Sequence, residues 1–570
     1  DPDALGCWEN DVFVLRTQLQ KDELVDFFLE SYQPSPILGP WGARSGFFPG
    51  SSESKARESL EKIETTEDQR LDKIKKTIAE IKNLLKELDL DEKAKDEDKI
   101  RLMQVCRSNL SDEILEWLDA CYVLLGDDKK FPPLLGTGGN EGSGSYFSGF
   151  SQQLVACLIN RDFDSALYTS LYGELKQYVF SGHTPGHFSP KSSGGPNSSS
   201  YGFEGKLTTN PWDYLLCLEG SYLWASGVFR RYSTSESGIA SFPFTVNVSG
   251  SGFESLCFND SKKPQKAKRN IAEIWLPLWK QFISLNELKM LLAEGRASIG
   301  RRISINGVDM ARAASGLGVD RGIHSFQRIS FFMRNGQSFI AVPLGKFDVH
   351  FKKDVNLIQE IDPWLSQFRR FCMGDSIQMR FQIALRKIES AIFNYCKYGG
   401  QDRMKMILTA LGNAERELAV TGDNCFPLSR LSTKWIPAVY EDSSEFQLSL
   451  SLAGIYGGEQ KIGSIRRNLE PFDENKRSWN ENSRENVWSS ADLCANLSAV
   501  LERRIMDGAR EGCQELPLHF RRPASLHAVS AFLAGEVDDQ RISDLLWGLI
   551  LINHWQKYPP LPKSRKPNYS

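Results

Sequence analysis

Residues 328–345, RISFFMRNGQSFIAVPLG, contain the clearest β-hairpin pattern in the chain. Two runs of alternating apolar and polar residues flank the dipeptide Asn335-Gly336. This dipeptide is typical of a type I′ turn, whose two central residues both have positive φ angles. The pattern therefore predicts antiparallel strands in the central part of the chain.

Helical patterns lie on both sides of this hairpin. Upstream, six apolar residues follow one another at spacings of 3, 4, 3, 4 and 3, which is a heptad seam. They are Leu71, Ile74, Ile78, Ile81, Leu85 and Leu88. The seam is shorter than three heptads, so it favours a helical hairpin over a long coiled coil. Beyond residue 360, amphipathic segments predict a mainly helical part.

Shorter elements complete the outline. The first forty residues predict a strand in DVFVLRTQL and a helix in KDELVDFFLESY that ends before Pro34. In the central part we expect a helix from residue 210, a strand at 239–248 and a helix at 284–300. The buried face of the first of these helices is predicted to consist of Leu215, Leu218, Tyr222 and Ala225.

These patterns predict an α+β protein of several domains. An N-terminal α/β segment at 1–50 carries a helical hairpin insertion at 51–130. A central α+β part with antiparallel hairpins spans 131–360 and includes a mobile Ser/Gly/Pro loop at 181–205. A mainly helical C-terminal part spans 361–570.

The composition is that of an ordinary soluble protein. Of the 570 residues, 41% are hydrophobic and 25% are charged, and no apolar run approaches the roughly 20 residues of a membrane span. The eleven cysteines are scattered, and the closest pair is Cys106 and Cys121. This spacing indicates reduced thiols buried as small hydrophobic groups. We therefore expect a cytoplasmic location and no membrane partner.

The net charge of −3 conceals an uneven distribution. Residues 51–130 carry 16 Lys and Arg against 21 Asp and Glu, which is a local charge of −5. Residues 261–328 carry 13 Lys and Arg against 5 Asp and Glu, which is a local charge of +8. One basic face is enough for a protein that contacts nucleic acid inside a larger assembly.

A glycine-rich stretch at 134–150, LLGTGGNEGSGSYFSGF, precedes a predicted helix. It has no Lys-Ser/Thr pair after its last glycine, so it is not a Walker A loop. Pro132 and Pro133 precede it in place of a central strand, which argues against a dinucleotide fingerprint. Two interpretations remain open. The stretch either approaches a nucleic acid closely through its bare backbone, or it is a surface turn that caps the helix.

Motifs for catalysis are missing from the sequence. It contains no HExxH, GxSxG, Walker A or paired-cysteine zinc spacing. His183 and His187 are four residues apart, but they lie in the Ser/Gly/Pro loop without a third ligand nearby. We therefore predict no catalytic residue, no metal site, no cofactor and no enzymatic activity.

Eight blocks of the sequence resemble, in the same order, the signature blocks of one protein family. The family is the large subunit of type I-G (formerly I-U) CRISPR interference complexes, also called Cascade. The blocks extend from Tyr32 to Ile552. They are YQPSPILGPWGARSGF, LLGTGGNEG with FSGF, NPWDYLLCLEG, ASFPFTV, EIWLPLW, LLAEGRASIGRR, GLGVDRGIHSFQRISFFMRNGQSFIAVPLGKF and FLAGEVDDQRISDLLWGLILI.

The chain departs from the family pattern in two loops and at both ends, and the helical region at 51–130 carries little of the family signature. The family loops usually read PWN where this chain has Trp41-Gly42-Ala43, and they usually have Asp where this chain has Glu141. The resemblance also implies a further segment before Asp1 and further helices after Ser570. We therefore expect a trimmed version of a longer protein.

The resemblance implies a subunit that binds and does not cut. Such a subunit lies at the crRNA 5′ end, recognises the protospacer-adjacent motif in target double-stranded DNA, supports duplex opening and R-loop formation, and recruits a helicase-nuclease. Its expected partners are crRNA, target DNA, the backbone subunits, the 5′-end subunit and the helicase-nuclease, in the cytoplasm of a prokaryote. Guide pairing supplies the rest of the specificity.

Two groups of residues are predicted to contact nucleic acid. All of them belong to the central part except Arg44, which lies in the loop that ends the N-terminal segment. Gly138, Gly139 and Asn140 would enter a groove of the duplex beside the adjacent motif, with Arg44 as a charged partner. Tyr146, Phe147 and Phe150 would anchor this loop to the core. The second group would contact phosphates without sequence preference. Its members are Lys262, Lys263, Lys266, Lys268, Arg269, Arg301 and Arg302.

Two alternatives belong to other classes. An architectural subunit would use the basic segment to hold crRNA or a neighbouring protein without reading the motif. A nuclease in its own right would cut the DNA itself, and the missing catalytic motifs disfavour it.

Overall fold

The computed structural model describes most of the chain in two compact units. The first unit comprises Asp1–Val248, Ser261–Gly307 and Val319–Val349, and the second comprises Ser249–Asp260, Val308–Gly318 and His350–Ser570. The described residues are 1–42, 45–49, 54–126, 128–132, 135, 146–173, 210–225, 227–229, 239–247, 272–295, 297–299, 302–334, 338–374, 377–421, 425–457, 462–473, 478–480 and 483–560. The predicted loop 181–205 and both of its histidines lie outside them.

The first unit combines helices with short antiparallel strands. Its helices are α1 (Lys21–Asp26), α2 (Ser54–Thr65), α3 (Asp72–Glu87), α4 (Asp96–Asn109), α5 (Asp112–Cys121), α6 (Tyr146–Leu154), α7 (Asp164–Tyr172), α8 (Pro211–Gly220) and α9 (Leu285–Glu294). Its strands are β1 (Leu5–Glu9), β2 (Val12–Arg16), β3 (Val123–Leu125), β4 (Asp128–Lys130), β5 (Gly227–Phe229), β6 (Ile239–Ser241), β7 (Thr245–Asn247), β8 (Ala272–Trp279), β9 (Ile283–Ser284), β10 (Ser298–Ile299), β11 (Arg302–Ile303), β12 (Ile323–Arg334) and β13 (Ser338–Asp348).

An N-terminal hairpin opens the chain. Strands β1 and β2 pair with Glu9 opposite Val12, so two residues connect them. These residues, Asn10 and Asp11, have φ angles of 47° and 69°, as a type I′ turn requires. The predicted strand and helix of this segment are confirmed. The helix α1 continues through a π-helical turn to Ser31 and ends before Pro34.

The helical region at 54–121 packs through the heptad seam. Leu71, Ile74, Ile78, Ile81 and Leu85 are buried, and Leu88 packs against the same core. Each fully buried side chain of this size contributes roughly 1.5–3 kcal/mol through removal from water. The predicted seam is therefore confirmed, and it faces the main hydrophobic core of the first unit.

The predicted hairpin at 328–345 forms one side of a four-stranded antiparallel sheet with the order β13-β12-β8-β7, in which β13 is an edge strand. Arg334 pairs with Ser338, so three residues separate the strands, whereas a two-residue turn would place Arg334 opposite Gln337. The predicted turn residues Asn335 and Gly336 lie outside the described residues. Further along, the register shifts beside Gly345, whose φ of 84° is the left-handed conformation typical of a β-bulge.

Three predicted boundaries in the central part were wrong. The segment 239–248 forms two strands in different sheets, β6 and β7, because the chain turns at Phe244 with a φ of 45°. The helix predicted at 284–300 ends at Glu294, after which Gly295 adopts a φ of 25° and β10 follows. The helix predicted from residue 210 ends at Gly220. Leu215 and Leu218 are buried on this helix as predicted, whereas Ala225 lies after its end and is exposed.

The second unit is mainly helical, as predicted. Its helices are α10 (Gly307–Ser315), α11 (Asp362–Cys372), α12 (Met379–Tyr398), α13 (Gln401–Thr421), α14 (Trp435–Val439), α15 (Ser444–Ala453), α16 (Arg466–Leu469), α17 (Leu493–Glu511), α18 (Leu526–Leu533) and α19 (Asp539–Leu549). The strands β14 (Ile455–Tyr456), β15 (Phe472–Asp473), β16 (Ser478–Trp479) and β17 (His519–Phe520) form two-residue pairs. Within the described ranges, no helix is long and apolar enough to cross a membrane.

Two glycines let α13 and α19 approach closely within the second unit. A Cβ atom at Gly412 would lie 2.5 Å from the backbone nitrogen of Gly548. A Cβ atom at Gly548 would lie 2.9 Å from the carbonyl oxygen of Leu408. The absence of side chains at this crossing therefore brings the two helix backbones into contact.

Candidate nucleic-acid interface

Most of the residues predicted to contact nucleic acid lie outside the described part of the chain. They are Arg44, Gly138, Gly139, Asn140, Lys262, Lys263, Lys266, Lys268, Arg269 and Arg301. Arg302 is described: it begins β11, pairs with Ile299 of β10 and is half-buried. The residues that flank the two predicted loops are also described.

The flanks of the two loops pack against each other. Trp41 and Gly42 lie immediately before residues 43 and 44, and Tyr146 and Phe147 lie within the glycine-rich stretch, directly after its most glycine-rich part at 136–145. The ring centroids of Trp41 and Phe147 are 5.9 Å apart in an edge-to-face arrangement. A Cβ atom at Gly42 would lie 2.6 Å from the Phe147 ring, so only glycine allows this contact. One end of each loop is therefore fixed at the same place.

An aromatic cluster holds this junction. Trp117 of α5 lies 6.0 Å from Phe147 between ring centroids, and Tyr122 lies 5.1 Å from Trp41. The indole N–H of Trp117 donates to the carbonyl oxygen of Leu38 at 3.0 Å. Aromatic pairs of this geometry contribute about 0.5–1.5 kcal/mol each beyond the burial of their area. The insertion therefore supports the loop that contains Trp41.

The helix α8 supplies a second support. Asn210 caps this helix by accepting a hydrogen bond from the Trp212 backbone N–H at 3.1 Å. At the other end, Glu219 accepts hydrogen bonds at 2.7 Å from both the Tyr32 hydroxyl and the Ser35 backbone N–H. Burial first, and then the nearby Glu219 carboxylate, raise the pKa of Tyr32 well above its ordinary value. The Pro/Gly loop that starts at Tyr32 is therefore attached to α8.

Phe147 and Phe150 are buried, and Tyr146 packs partly buried against the same core. These positions agree with the prediction that the aromatic residues anchor the stretch to the core. They do not distinguish a nucleic-acid loop from a surface turn that caps α6, because either would need an anchor.

Lys93, Lys99 and Lys129 form a lysine cluster, in the sense that the charges of Lys93 and Lys129 act on Lys99, and the sequence did not predict it. The Lys99 ammonium group lies 5.5 Å from the centre of the Phe131 ring. Its pKa is lowered, first by burial and then by the positive charges of Lys129 and Lys93. A partly buried ammonium group repelled by two others is a favourable place for a phosphate. The average charge of −5 hid this cluster, although Lys129 and Lys130 are adjacent just before Pro132.

No candidate metal centre emerges from the part of the chain that the structure describes. No group of three or more His, Cys, Asp or Glu side chains there is arranged to hold a metal ion.

Comparisons with known protein families and curated proteins found no match. No family model matches the chain, and no curated protein matches it.

Proposed function

We propose that the chain is the non-catalytic large subunit of a type I-G CRISPR surveillance complex. In this role it recognises the protospacer-adjacent motif in target double-stranded DNA, supports duplex opening and R-loop formation, and recruits the helicase-nuclease. The observation that carries the proposal is the ordered set of eight sequence blocks that resemble the family. Its partners would be crRNA, target DNA, the other Cascade subunits and the helicase-nuclease, in the cytoplasm of a prokaryote.

The packing of the first three blocks supports this proposal. Trp41 belongs to the first block, Phe147 to the second and Trp212 to the third, and all three are buried in the same core. Tyr214 of the third block also approaches the second, with its hydroxyl 3.5 Å from the Tyr146 carbonyl oxygen. Blocks that are distant in sequence would then act together, as a binding surface made of two loops requires.

In the proposed mechanism, the two loops read the duplex together. Glycines at 138 and 139 let the backbone come close to a groove, and Asn140 can both donate to and accept from a base edge. Arg44 contributes a charged contact from the neighbouring loop. The lysine cluster at Lys93, Lys99 and Lys129 binds backbone phosphates beside them, which fixes the orientation of the protein without reading sequence.

Replacement of Asn140 by Ala tests the proposed reading of the motif. We expect the assembled complex to lose affinity for duplexes with the correct adjacent motif, by about 1–3 kcal/mol for a lost bidentate contact, and to keep its affinity for scrambled motifs. Binding is measured at one fixed salt concentration.

Asn83→Ala, at an exposed position of α3, is the matched control and should leave both affinities unchanged. Equal losses on the two duplexes, or no loss on either, would support the architectural alternative and contradict motif reading by this loop.

A further inference from the structure

A polar cavity of about 360 Å³ lies in the second unit, beside the C-terminal half of α17. Four arginines line it: Arg503, Arg504 and Arg510 from α17, and Arg484 from the preceding loop. The remaining wall includes two serines, two asparagines and the carboxylates of Glu485, Asp507 and Glu511. The cavity therefore has many hydrogen-bond donors and a size in the usual range for small-ligand sites.

Two of the arginines already have carboxylate partners. Arg503 makes a two-point contact with Asp507, with 2.9 Å between Nε and Oδ2, and Arg510 lies 3.9 Å from the same carboxylate. The cavity carboxylate of Glu485 is occupied by Arg467, at 2.7 Å. A third carboxylate, Glu511, also lines the cavity and is exposed, so the four arginines outnumber the lining carboxylates by one.

Arg504 is the unusual member of this group. Its side chain is only 1% exposed, and its hydrogen-bond acceptors are neutral: the carbonyl oxygens of Pro517 and Gly463 and the amide oxygen of Asn468. Among the described residues, its Nη2 group has no hydrogen-bond partner. A buried guanidinium without a carboxylate contact is costly unless an anion neutralises it. Burial accordingly lowers the pKa of Arg504 to about 10.

Arg484 completes the arrangement from the solvent side. It is exposed, and within the described part of the chain it makes no ion pair or hydrogen bond. An anion in the cavity could thus bind the buried Arg504 on one side and the exposed Arg484 on the other.

We propose that this cavity is a binding site for a phosphate group. Planar guanidinium groups bind phosphate oxygens in pairs, and a phosphate can accept from several arginines at once. The volume leaves room for a sugar attached to the phosphate. The group could come from a free phosphate ester or from a nucleic-acid backbone. The residues that line the cavity are different from those proposed to read the adjacent motif, so this proposal does not depend on that function.

The test uses the purified full chain, with inorganic phosphate as the probe at constant ionic strength. We expect saturable binding by calorimetry, and a rise in melting temperature with phosphate concentration, because the ligand binds only the folded state. Arg484→Gln should weaken phosphate binding by about tenfold or more, as expected for the loss of a charged hydrogen bond. Arg484 is preferred to Arg504, since its exposed side chain supports no other part of the fold.

Arg522→Gln is the matched control, because Arg522 is exposed and does not line the cavity. Absence of saturable phosphate binding, or an equal loss in the control variant, would overturn the proposal. A short single-stranded RNA then separates the two sources. If phosphate displaces the RNA and Arg484→Gln weakens both, the site holds a nucleic-acid phosphate. If phosphate binds in this way while RNA affinity is insensitive to Arg484→Gln, the site serves a free phosphate ester.

Discussion

At the scale of single residues, three buried ionisable side chains in the second unit stand out. Glu415 and Glu470 are both fully buried, and both contact the guanidinium group of Arg466, which is also buried. Glu415 lies 2.8 Å from Arg466 and accepts a hydrogen bond from the Leu428 backbone N–H, also at 2.8 Å. One guanidinium group cannot neutralise two carboxylates, so one of them is favoured in its protonated form. Burial and the Glu470 carboxylate raise the pKa of Glu415 to about 8.

This raised pKa predicts how stability changes with pH. Because the folded pKa of Glu415 lies above the unfolded value, its favourable contribution is complete below about pH 4.5 and is lost as the pH rises towards 8. In this range the wild-type free energy of unfolding should fall with pH, by up to about 1.4 kcal/mol per pH unit from this group. Glu415→Gln, which cannot ionise, should remove that fall, as measured by denaturant unfolding at several pH values.

The control for this experiment is Glu502→Gln, at an exposed position of α17. It should leave the pH dependence as in the wild type. If Glu415→Gln also leaves the slope unchanged, Glu415 is ionised in the folded protein and the interpretation of the cluster is wrong.

Lys99 allows a second test at the residue scale. Lys99→Gln removes one of three neighbouring positive charges, so we expect the log–log salt dependence of binding to duplex DNA to become shallower by about 0.9. The folded protein should be no less stable than the wild type, because the substitution relieves both repulsion and burial of charge.

Lys73→Gln, at an exposed position of α3, provides the comparison for Lys99. An identical salt slope in the wild type and both variants would mean that the lysine cluster makes no phosphate contact.

At the scale of elements, the crossing of α13 and α19 depends on Gly412. Gly412→Ala should destabilise the protein by about 1–3 kcal/mol, because the new methyl group meets the backbone of α19 and the helices must separate. At Gly220, the last residue of α8, nothing lies within 4 Å of a Cβ atom, so Gly220→Ala should be neutral or slightly stabilising. Chemical denaturation measures both changes, and equal effects would contradict the close-crossing interpretation.

The elements also show how far the sequence could be interpreted. The seam at Leu71–Leu85 and the hairpin of β12 and β13 were predictable, because the spacing of apolar residues in a helix or strand indicates which face is buried. The break at Phe244 had a signal in the preceding Pro243, since proline inside a run argues against a continuous strand, but the apolar and β-branched residues continue on both sides of it. The helix end at Gly295 had a possible signal in the glycine itself, but the apolar pattern continued past it.

At the scale of the whole molecule, the contact between the residues that flank the two predicted loops could be seen only in the tertiary structure. Trp41 and Phe147 are more than one hundred residues apart, and their contact depends on the packing of α5 and α8 around them. The lysine cluster has the same origin, because α4 and β4 bring Lys99 and Lys129 together. The sequence could identify each loop as a candidate, but it could not show that the residues flanking them are in contact.

The most direct test of the proposed function is to assemble the crRNA-guided complex with and without this chain. R-loop formation is then measured on duplexes that match the guide and carry either the correct adjacent motif or a scrambled one. With the chain present, we expect the correct motif to be favoured by about tenfold or more, as one or more base-specific contacts would give. Without the chain, this preference should disappear. A preference that persists undiminished without the chain, or a chain that does not associate with the complex, would contradict the proposal.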